Sequence, residues 1–419
     1  MLEVCLEPLN VVVIDCQTTH SSPQKGRVIE IAWSQTSALC DGSEPLLEQF
    51  LIQWPDEIEL SARIQKLTGI RPDELKRAHS IQEVSRRFCE VISTGPPLVI
   101  HHASFEMPFL EQLFEAHYGI SIPYPHSIVC TRTLARTLWP GLPRCSLRAL
   151  AGFLGHQVVH QKRACAHVLA TRYIWQKIVQ KLRLEHGVNT WSDLQDWLLN
   201  VPPTKPSRRT FAIESTQRLM LPDAPGVYRL LNNHNEVLYV GKATSLKQRV
   251  NSYFRGKKHG DEKLLELITQ VHHVDYTETE TSLEAALLEL EDFVETLEHR
   301  RKHAQHEVVR PRVARVLAAV HERVLLARMA VQVAEQLDFT FFLKHLHHPL
   351  REVDRRVEVL ARLHPPSVQV EAEQRAAVVA VDHAVGVQHR DDLEDVVLSE
   401  LDGCFVVAEQ KLDEALDDP

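Results

Sequence analysis

A proline-rich stretch divides the chain and constrains its fold more than any other sequence feature. Residues 200–209, reading NVPPTKPSRR, carry three prolines among polar neighbours, a composition typical of a stiff, extended connection. Because neither a helix nor a central strand tolerates such a run of prolines, the cores on its two sides must form separately. The length of 419 residues is sufficient for two or three such cores.

The overall composition excludes several classes of protein. A formal net charge of -9 gives no general sign of nucleic-acid binding, so any basic surface must be local. The eight cysteines form no CxxC pair of the metal-binding kind, and we expect reduced, structural thiols. The opening MLEVCLEPLN lacks the features of a secretion signal, and no apolar run reaches the roughly 18 residues of a membrane span. We therefore expect a cytoplasmic protein without membrane contact.

The part of the chain before the proline-rich stretch predicts an α/β domain. Short apolar or alternating runs predict strands at residues 11–14, 27–33 and 98–100. Apolar residues recur at helical spacing over 147–154 and 164–184. We expect this domain to cover residues 1–187, with a connecting helix and the proline-rich linker over residues 188–215.

The part after the linker predicts a smaller α+β domain over residues 216–302. Two β-rich runs, at 221–231 and 236–241, are joined by the turn-forming sequence NNHN and predict a hairpin. Helices are expected over 245–254, 261–271 and 282–302, the last with Ser282 as its N-cap.

The composition changes after about residue 290. No Ile, Asn or Trp occurs from Gln270 to the end, whereas Val, Arg, His, Glu and Asp are heavily used. Two interpretations of residues 303–419 stay open. The segment is either a divergent helical tail, since residues 313–337 have helical apolar spacing, or the translation of a shifted reading frame, which would produce such a skewed alphabet.

The segment from 226 to 289 supplies the groups that cleavage of a phosphodiester requires. That reaction needs a cation to neutralise the phosphate, a base for the attacking water, and positive or proton-donating groups near the leaving oxygen. The candidate catalytic residues are Tyr228, Tyr239, Lys242, Arg249, Tyr253 and Glu289. Gly226 and Gly241 are expected at strand edges, where a bare backbone lets a phosphate approach.

Four ordered blocks, P-G-V-Y, Y-V-G-K-A, L-K-x-R-V-x-S-Y-F and E-A-x-L-L-E, make this segment resemble the GIY-YIG endonucleases. Within them it is most similar to the N-terminal incision domain of UvrC and its shorter relative Cho. The resemblance implies that Glu289 binds one divalent cation, Mg²⁺ or Mn²⁺, and that Tyr228 is the base for water. Tyr239 and Tyr253 would order water or phosphate.

The same resemblance implies contacts with DNA and a place in repair. Arg249 would bind the scissile phosphate, and Lys242 would help the tyrosines to ionise or orient. A basic face for the DNA backbone is expected from Lys242, Lys247, Arg249, Arg255, Lys257 and Lys258. The implied function is incision 3′ to a lesion in nucleotide excision repair and the SOS response, with partners of the UvrA and UvrB type. One family feature, a Leu-Ile-Lys and Pro-x-Tyr-Asn stretch after the metal-binding glutamate, is absent from residues 290–305.

Three motifs of the first domain resemble the DnaQ-type 3′–5′ exonucleases, which have an RNase H-like fold. They are VVVIDCQTTH at residues 11–20, HHASFEMPFL at 101–110 and KRACAHVLAT at 162–171. The family holds two divalent ions with Asp and Glu in the first motif, Asp in the second and a His and Asp pair in the third. At these positions the chain has Asp15, Gln17, Glu106, Lys162 and His167.

Only two carboxylates, Asp15 and Glu106, remain in this set. Two divalent ions would keep uncompensated positive charge in a site shielded from water, so we expect a vestigial metal site and a catalytically degenerate domain. The domain would then bind or dock without cutting, and its candidate phosphate contacts are Lys162, Arg163, His101 and His102.

Three functions stay open. The first is a metal-dependent DNA endonuclease whose N-terminal domain positions the central module. The second is a 3′–5′ exonuclease similar to the epsilon subunit of DNA polymerase III, which would need the two missing carboxylates. The third is a catalytically silent DNA-binding or scaffold protein, which is favoured if the region after Glu289 fails to complete the nuclease fold.

Overall fold

The computed structural model describes residues 4–39, 46–55, 59–118, 127–156, 162–200, 208–255 and 261–303. The anomalous tail therefore lies outside the described residues apart from its first position, and so do Lys257 and Lys258 of the expected basic face. Of the helices in the described ranges, none combines the length and the apolar character that a membrane span requires.

In the described part of the first domain, a six-stranded sheet has the spatial order β4-β3-β2-β1-β5-β6. The strands are β1 (Val11–Thr18), β2 (Val28–Thr36), β3 (Leu47–Gln53), β4 (His79–Ser80), β5 (Leu98–Ile100) and β6 (Ile128–Cys130). β1 runs antiparallel to β2 and parallel to β5, and β5 runs parallel to β6. The carboxyl ends of β1, β5 and β6 therefore meet at one edge, the position at which α/β sheets bind ligands.

Helices cover both faces of this sheet. They are α1 (Ala62–Thr68), α2 (Pro72–Leu75), α3 (Ile81–Ile92), α4 (Ala103–Tyr118), α5 (Thr131–Leu138), α6 (Leu147–Phe153), α7 (Ala164–His186) and α8 (Trp191–Asn200). Val11 and Val13 pack with α5, α6 and α7, whereas Val12 and Ile14 pack with α3 and α4. Because successive strand residues point to opposite faces, a strand buried on both sides is a continuous apolar run. The predicted α/β class is confirmed.

The second domain has the strand order β8-β7-β9 in its described part. Its elements are α9 (Ser215–Leu219), β7 (Gly226–Leu231), β8 (Val237–Ala243), α10 (Leu246–Arg255), α11 (Glu262–Gln270), β9 (His273–Glu278) and α12 (Ser282–His303). The predicted hairpin is β7 and β8, and Asn235 adopts a φ of 60° in its turn. Asn is among the residues that tolerate this conformation.

Two expectations for this domain differ from the structure. β9 was not predicted, because its residues are half-buried or exposed and give no apolar run; backbone pairing with β7 defines it. Gly226 was expected at a strand edge open to phosphate, and that prediction is wrong. Gly226 lies in the central strand, where an added Cβ would be 2.2 Å from the carbonyl oxygen of Thr277.

A polar joint connects the two domains through α6 and α11. The guanidinium of Arg144 donates to both carboxylate oxygens of Glu262, at 2.7 and 3.0 Å. Ser146, the N-cap of α6, donates its hydroxyl to Glu266 Oε2 at 2.6 Å. Two acidic residues of the second domain therefore hold the segment that begins α6.

The same joint is closely packed at Gly152. An added Cβ at this position would lie 2.5 Å from Cγ of Gln270, and His272 Nε2 donates to the Gly152 carbonyl oxygen at 2.9 Å. Gly152 is buried inside α6, so its missing side chain lets α6 and α11 approach each other.

A buried histidine ties the functional edge of the first sheet together. His101 follows β5 and is 6% exposed. Its Nε2 donates to the carbonyl oxygen of Cys145 at 3.3 Å, and its Nδ1 accepts from the Thr131 hydroxyl at 3.0 Å. Burial lowers the pKa of His101 to about 3. The ring is neutral and engaged on both nitrogens, so the expected contact of His101 with phosphate is wrong.

We predict that Gly152→Ala destabilises the protein by about 1–3 kcal/mol, because the added methyl group overpacks the joint. Replacing Gln270 by Ala in the same chain removes the clashing Cγ and should recover part of the loss. Urea unfolding of both single variants and the double variant measures the coupling. If the losses in free energy of unfolding of the two single variants simply add in the double variant, the two residues do not contact each other.

We predict that His101 makes the protein sensitive to acid. Its pKa is about 3 in the folded chain and about 6.5 when unfolded, so the folded state binds fewer protons. The stabilisation is complete above pH 6.5 and is lost as the pH falls toward 3, at about 2 kcal/mol between pH 7 and pH 5. Denaturant unfolding at several pH values should give a shallower loss for His101→Gln, and an unchanged slope would contradict the assignment.

Candidate active sites

Three tyrosines from three elements form a cluster in the second domain. Tyr228 lies on β7, Tyr239 on β8 and Tyr253 on α10. Their ring centroids are 6.1 to 6.4 Å apart, and the hydroxyls of Tyr228 and Tyr253 are hydrogen-bonded at 2.6 Å. The predicted tyrosines are therefore brought together.

The pairing of β7 with β8 makes room for this cluster. Gly241 lies directly opposite Tyr228, on the same face of β8 as Tyr239, two residues earlier. A Cβ at Gly241 would be 2.5 Å from the Tyr228 hydroxyl oxygen and 2.8 Å from the Tyr239 ring. Tyrosine packing thus requires this glycine, and the expectation that it makes room for a phosphate is wrong.

Arg249 adds a positive charge to the cluster. It lies one turn before Tyr253 on α10, with its guanidinium carbon 5.3 Å from the centre of that ring, and it hydrogen-bonds to the Tyr228 hydroxyl. Burial raises the pKa of Tyr228 well above its ordinary value, and the hydrogen bond from Arg249 opposes that rise. Burial also raises the pKa of Tyr239. Both phenols are neutral at physiological pH.

Glu289 lies beside the cluster on α12. Its side chain is 7% exposed, and its Oε1 accepts from the backbone N–H of Lys242 at 2.8 Å. Its charge contributes, after burial and Tyr253, to the raised pKa of Tyr239. Strand alternation places the Lys242 side chain on the opposite face of β8 from Tyr239. Lys242 donates to Glu289 through its backbone amide.

Glu289 has the donor chemistry of a site for a hard divalent cation. Mg²⁺ is usually bound by one or two carboxylates together with waters and substrate phosphates. Within the described ranges, no group of three His, Cys, Asp or Glu side chains forms a cage for an ion. The residues therefore fit an ion that one carboxylate shares with a bound phosphate.

The expected DNA contacts on α10 are at the surface. Lys247, Arg249 and Arg255 are exposed, and Arg249 is the one that also contacts the tyrosines. Asn251, on the same helix, was not singled out from the sequence. It is fully buried, and its amide donates to the carbonyl oxygens of Arg218 and Lys247 at 2.7 and 2.8 Å. A polar residue in the apolar spacing of a helix was the available signal.

The exonuclease-like site of the first domain is closed by hydrogen bonds. Asp15 at the end of β1 and Glu106 on α4 are 6% and 4% exposed. Gln17 donates to Asp15 Oδ2 at 2.9 Å, and His167 Nδ1 lies 3.2 Å from both carboxylate oxygens of Asp15. Burial and the charge of Asp15 raise the pKa of Glu106, which also accepts from the Cys16 amide at 3.2 Å.

A pair of divalent ions does not fit this site. Gln17 and His167 stand where the related family has carboxylates, and both bond directly to Asp15. The raised pKa of Glu106 favours its neutral form, which is a poor metal ligand. The structure brings the predicted residues together, but as a network satisfied by the protein's own donors.

The expected phosphate contacts around this site have different roles. Arg163 Nε donates to Oε1 of the fully buried Glu30 at 2.7 Å, and the Ala164 amide donates to Glu30 Oε2 at 2.9 Å. Arg163 and Glu30 therefore form a structural ion pair. His102 Nε2 accepts from Arg132 Nη1 at 2.8 Å. Lys162 is exposed.

Comparisons with known proteins match both domains. Residues 12–167 match the RNase_T exonuclease model, and residues 224–298 match the UvrC-like GIY-YIG domain. A Mycobacterium tuberculosis protein named as a bifunctional exonuclease/endonuclease is 28% identical over 296 residues, 69% of this chain and 43% of the relative. The UvrABC system protein C of Rhizobium meliloti is 46% identical over 69 residues, 16% of this chain and 10% of the relative.

A comparison of structures matches the nuclease domain of 3'hExo, a DEDDh family member bound to rAMP. Its TM-score is 0.36 at 15% identity, over 41% of this chain and 92% of that chain. The chain spans less than half the length of the two sequence relatives. The order of domains that the motifs predict is confirmed: the chain joins an RNase_T exonuclease domain to a UvrC-like GIY-YIG domain.

Proposed function

We propose that the protein is a metal-dependent endonuclease that cuts DNA at the GIY-YIG site of residues 216–302, and that residues 1–187 position nucleic acid without cutting it. The observation that carries this proposal is the buried carboxylate of Glu289, fixed by an amide beside three clustered tyrosines and Arg249. These residue types are the ones that cleavage of a phosphodiester requires. The first domain has replaced two carboxylates by Gln17 and His167.

Glu289 would hold the Mg²⁺ or Mn²⁺ ion, which supplies charge neutralisation at the scissile phosphate when bound. Arg249 is exposed and binds a non-bridging phosphate oxygen. Its hydrogen bond to the Tyr228 hydroxyl opposes the rise in the pKa of Tyr228. For Tyr228 to act as the base, its phenol must first release its own proton to solvent through the hydrogen bond to the Tyr253 hydroxyl. The phenolate then accepts the proton of the attacking water, whose oxygen bonds to phosphorus as the bond from phosphorus to the leaving oxygen breaks. Tyr253 shares the charge of the phenolate through its 2.6 Å hydrogen bond to Tyr228.

The finer proposal is incision 3′ to a lesion in nucleotide excision repair, in the cytoplasm and with partners of the UvrA and UvrB type. Its support is the 46% identity of the GIY-YIG domain to a UvrABC system protein C. Damage recognition would then come from those partners. The 3′–5′ exonuclease alternative is disfavoured by the site of Asp15 and Glu106, which does not fit two ions.

We predict that Glu289→Gln lowers the rate of plasmid nicking with Mg²⁺ or Mn²⁺ by at least about a hundredfold, since the ion contributes several kcal/mol. Glutamine keeps the acceptor for the Lys242 amide and loses the charge. The matched control is Glu284→Gln, an exposed residue of the same helix, which should nick normally. Asp15→Asn should also nick normally.

Two results of this assay contradict the proposal. If Asp15→Asn alone abolishes cleavage, the cut belongs to the exonuclease site. If the unmodified chain nicks neither plasmid nor lesion-containing duplex while it still binds DNA, the protein is a silent binding or scaffold protein.

We predict that Tyr228→Phe lowers nicking by about a hundredfold or more, because general-base catalysis typically contributes that much. The ring and its packing stay, and the hydroxyl that bonds to Tyr253 and Arg249 is lost. Tyr276→Phe is the matched control, since Tyr276 pairs with Tyr228 across the sheet and is 40% exposed. Circular dichroism should show both variants folded. Equal nicking by the two variants would rule out Tyr228 as the base.

A further inference from the structure

Three arginines form a cluster beside the exonuclease site. Arg132 and Arg136 lie one turn apart on α5, and Arg144 lies in the segment before α6. Besides burial, the charges of Arg136 and Arg144 lower the pKa of Arg132. The three guanidinium groups are therefore close enough to repel one another.

The cluster lies at the functional edge of the sheet. α5 begins directly after β6, where the carboxyl ends of β1, β5 and β6 meet. The Arg132 amide donates to the His101 carbonyl oxygen at 3.1 Å, and its guanidinium donates to His102 Nε2 at 2.8 Å. The His102 carbonyl oxygen accepts from the amide of Glu106 at 3.1 Å. Hydrogen bonds therefore connect Arg132 through His102 to Glu106 of the vestigial site.

Two of these arginines are incompletely compensated. Arg132 Nε is buried and has no hydrogen-bond partner among the described residues, a cost that native proteins rarely bear. Arg136 is exposed, and within the described ranges it forms neither an ion pair nor a hydrogen bond. Arg144 differs, because Glu262 of the second domain neutralises it.

The local structure adds positive potential at the same place. Arg132 occupies the first turn of α5, which contains no acidic residue, although the amide end of a helix favours negative charge. His102 does not add charge, because burial and the two arginines lower its pKa and it accepts from Arg132. The charge of Arg132 is felt by Glu262, whose pKa it lowers after Arg144, and a bound anion would add further compensation at the amide end of α5.

We propose that Arg132 and Arg136 bind the phosphodiester backbone of a single nucleic-acid strand, without a metal ion. Two cations one helical turn apart, at the carboxyl edge where such sheets bind ligands, suit a linear polyanion better than one isolated phosphate. This inference deepens the proposed function. It rests on that proposal in one respect, namely that the first domain binds nucleic acid without cutting it. Neither arginine belongs to the motifs of the exonuclease resemblance.

The test is binding of a fluorescein-labelled single-stranded DNA oligonucleotide to the full chain in EDTA, measured by anisotropy over a range of KCl concentrations. The double variant Arg132→Gln and Arg136→Gln should bind about tenfold more weakly. The slope of log affinity against log salt should fall by about 0.7 for each lost phosphate contact. Arg136→Gln alone should show part of both effects, and since Arg136 is exposed this variant should fold normally.

The matched control is Arg86→Gln, which removes the same charge from an exposed position on α3 and should leave binding and slope unchanged. Wild-type binding by Arg136→Gln and by the folded double variant would overturn the proposal. Complete displacement of the strand by inorganic phosphate, at constant ionic strength, would overturn the strand as the ligand and leave a site for free phosphate.

The outcomes separate this inference from the proposed function. Glu289→Gln should bind the oligonucleotide as the unmodified chain does, because it does not alter the arginines. Arginine-dependent binding by a chain that never nicks DNA would reject the endonuclease and keep the strand site. Normal nicking, with binding that does not depend on the arginines, would keep the endonuclease and reject the strand site.

Discussion

Burying a carboxylate is costly unless donors or opposite charge compensate it, and this constraint organises both domains. Glu30 has no exposed surface and is satisfied by Arg163 and the Ala164 amide, which fixes the start of α7 on the sheet. Asp15 is satisfied by Gln17 and His167. Glu289 accepts from the backbone amide of Lys242 at 2.8 Å. Glu30 therefore belongs to a structural ion pair, Asp15 to a site closed by hydrogen bonds, and Glu289 to a candidate cation site.

Motifs and periodicity could predict much of the fold, because β1, β2 and β5 bury apolar residues and so produce recognisable runs. β9 was not predicted from the sequence. Its residues, such as Asp275 and Tyr276, are exposed, so they give no apolar pattern that would indicate a strand. The tyrosines and Glu289 were predictable as a set from ordered blocks. The role of Gly241 was not, because only the register of β7 against β8 places it opposite Tyr228.

Long-range polar pairing was the second limit of prediction. From the sequence alone, Arg163 looks like an ordinary surface cation near the degenerate exonuclease site. Its partner Glu30 lies 133 positions away in the chain. Arg144 and Glu262 are 118 positions apart and individually unremarkable. No local pattern encodes which distant charges meet. Arg163 was therefore assigned to phosphate although a buried carboxylate already binds it, and the joint of α6 with α11 was not anticipated.

The joint gives the arginine cluster its division of roles. Arg144 is bound by Glu262 and so connects the domains, whereas Arg136 is exposed and Arg132 lies at the sheet edge beside His102. Ser146 and Gly152 extend the same contact along α6 to α11, and α11 belongs to the core that also contains Tyr228. The domain in which Gln17 and His167 bond to Asp15 is therefore joined by direct contacts to the domain that contains the tyrosine cluster. That arrangement suits a platform which orients a strand for a neighbouring site.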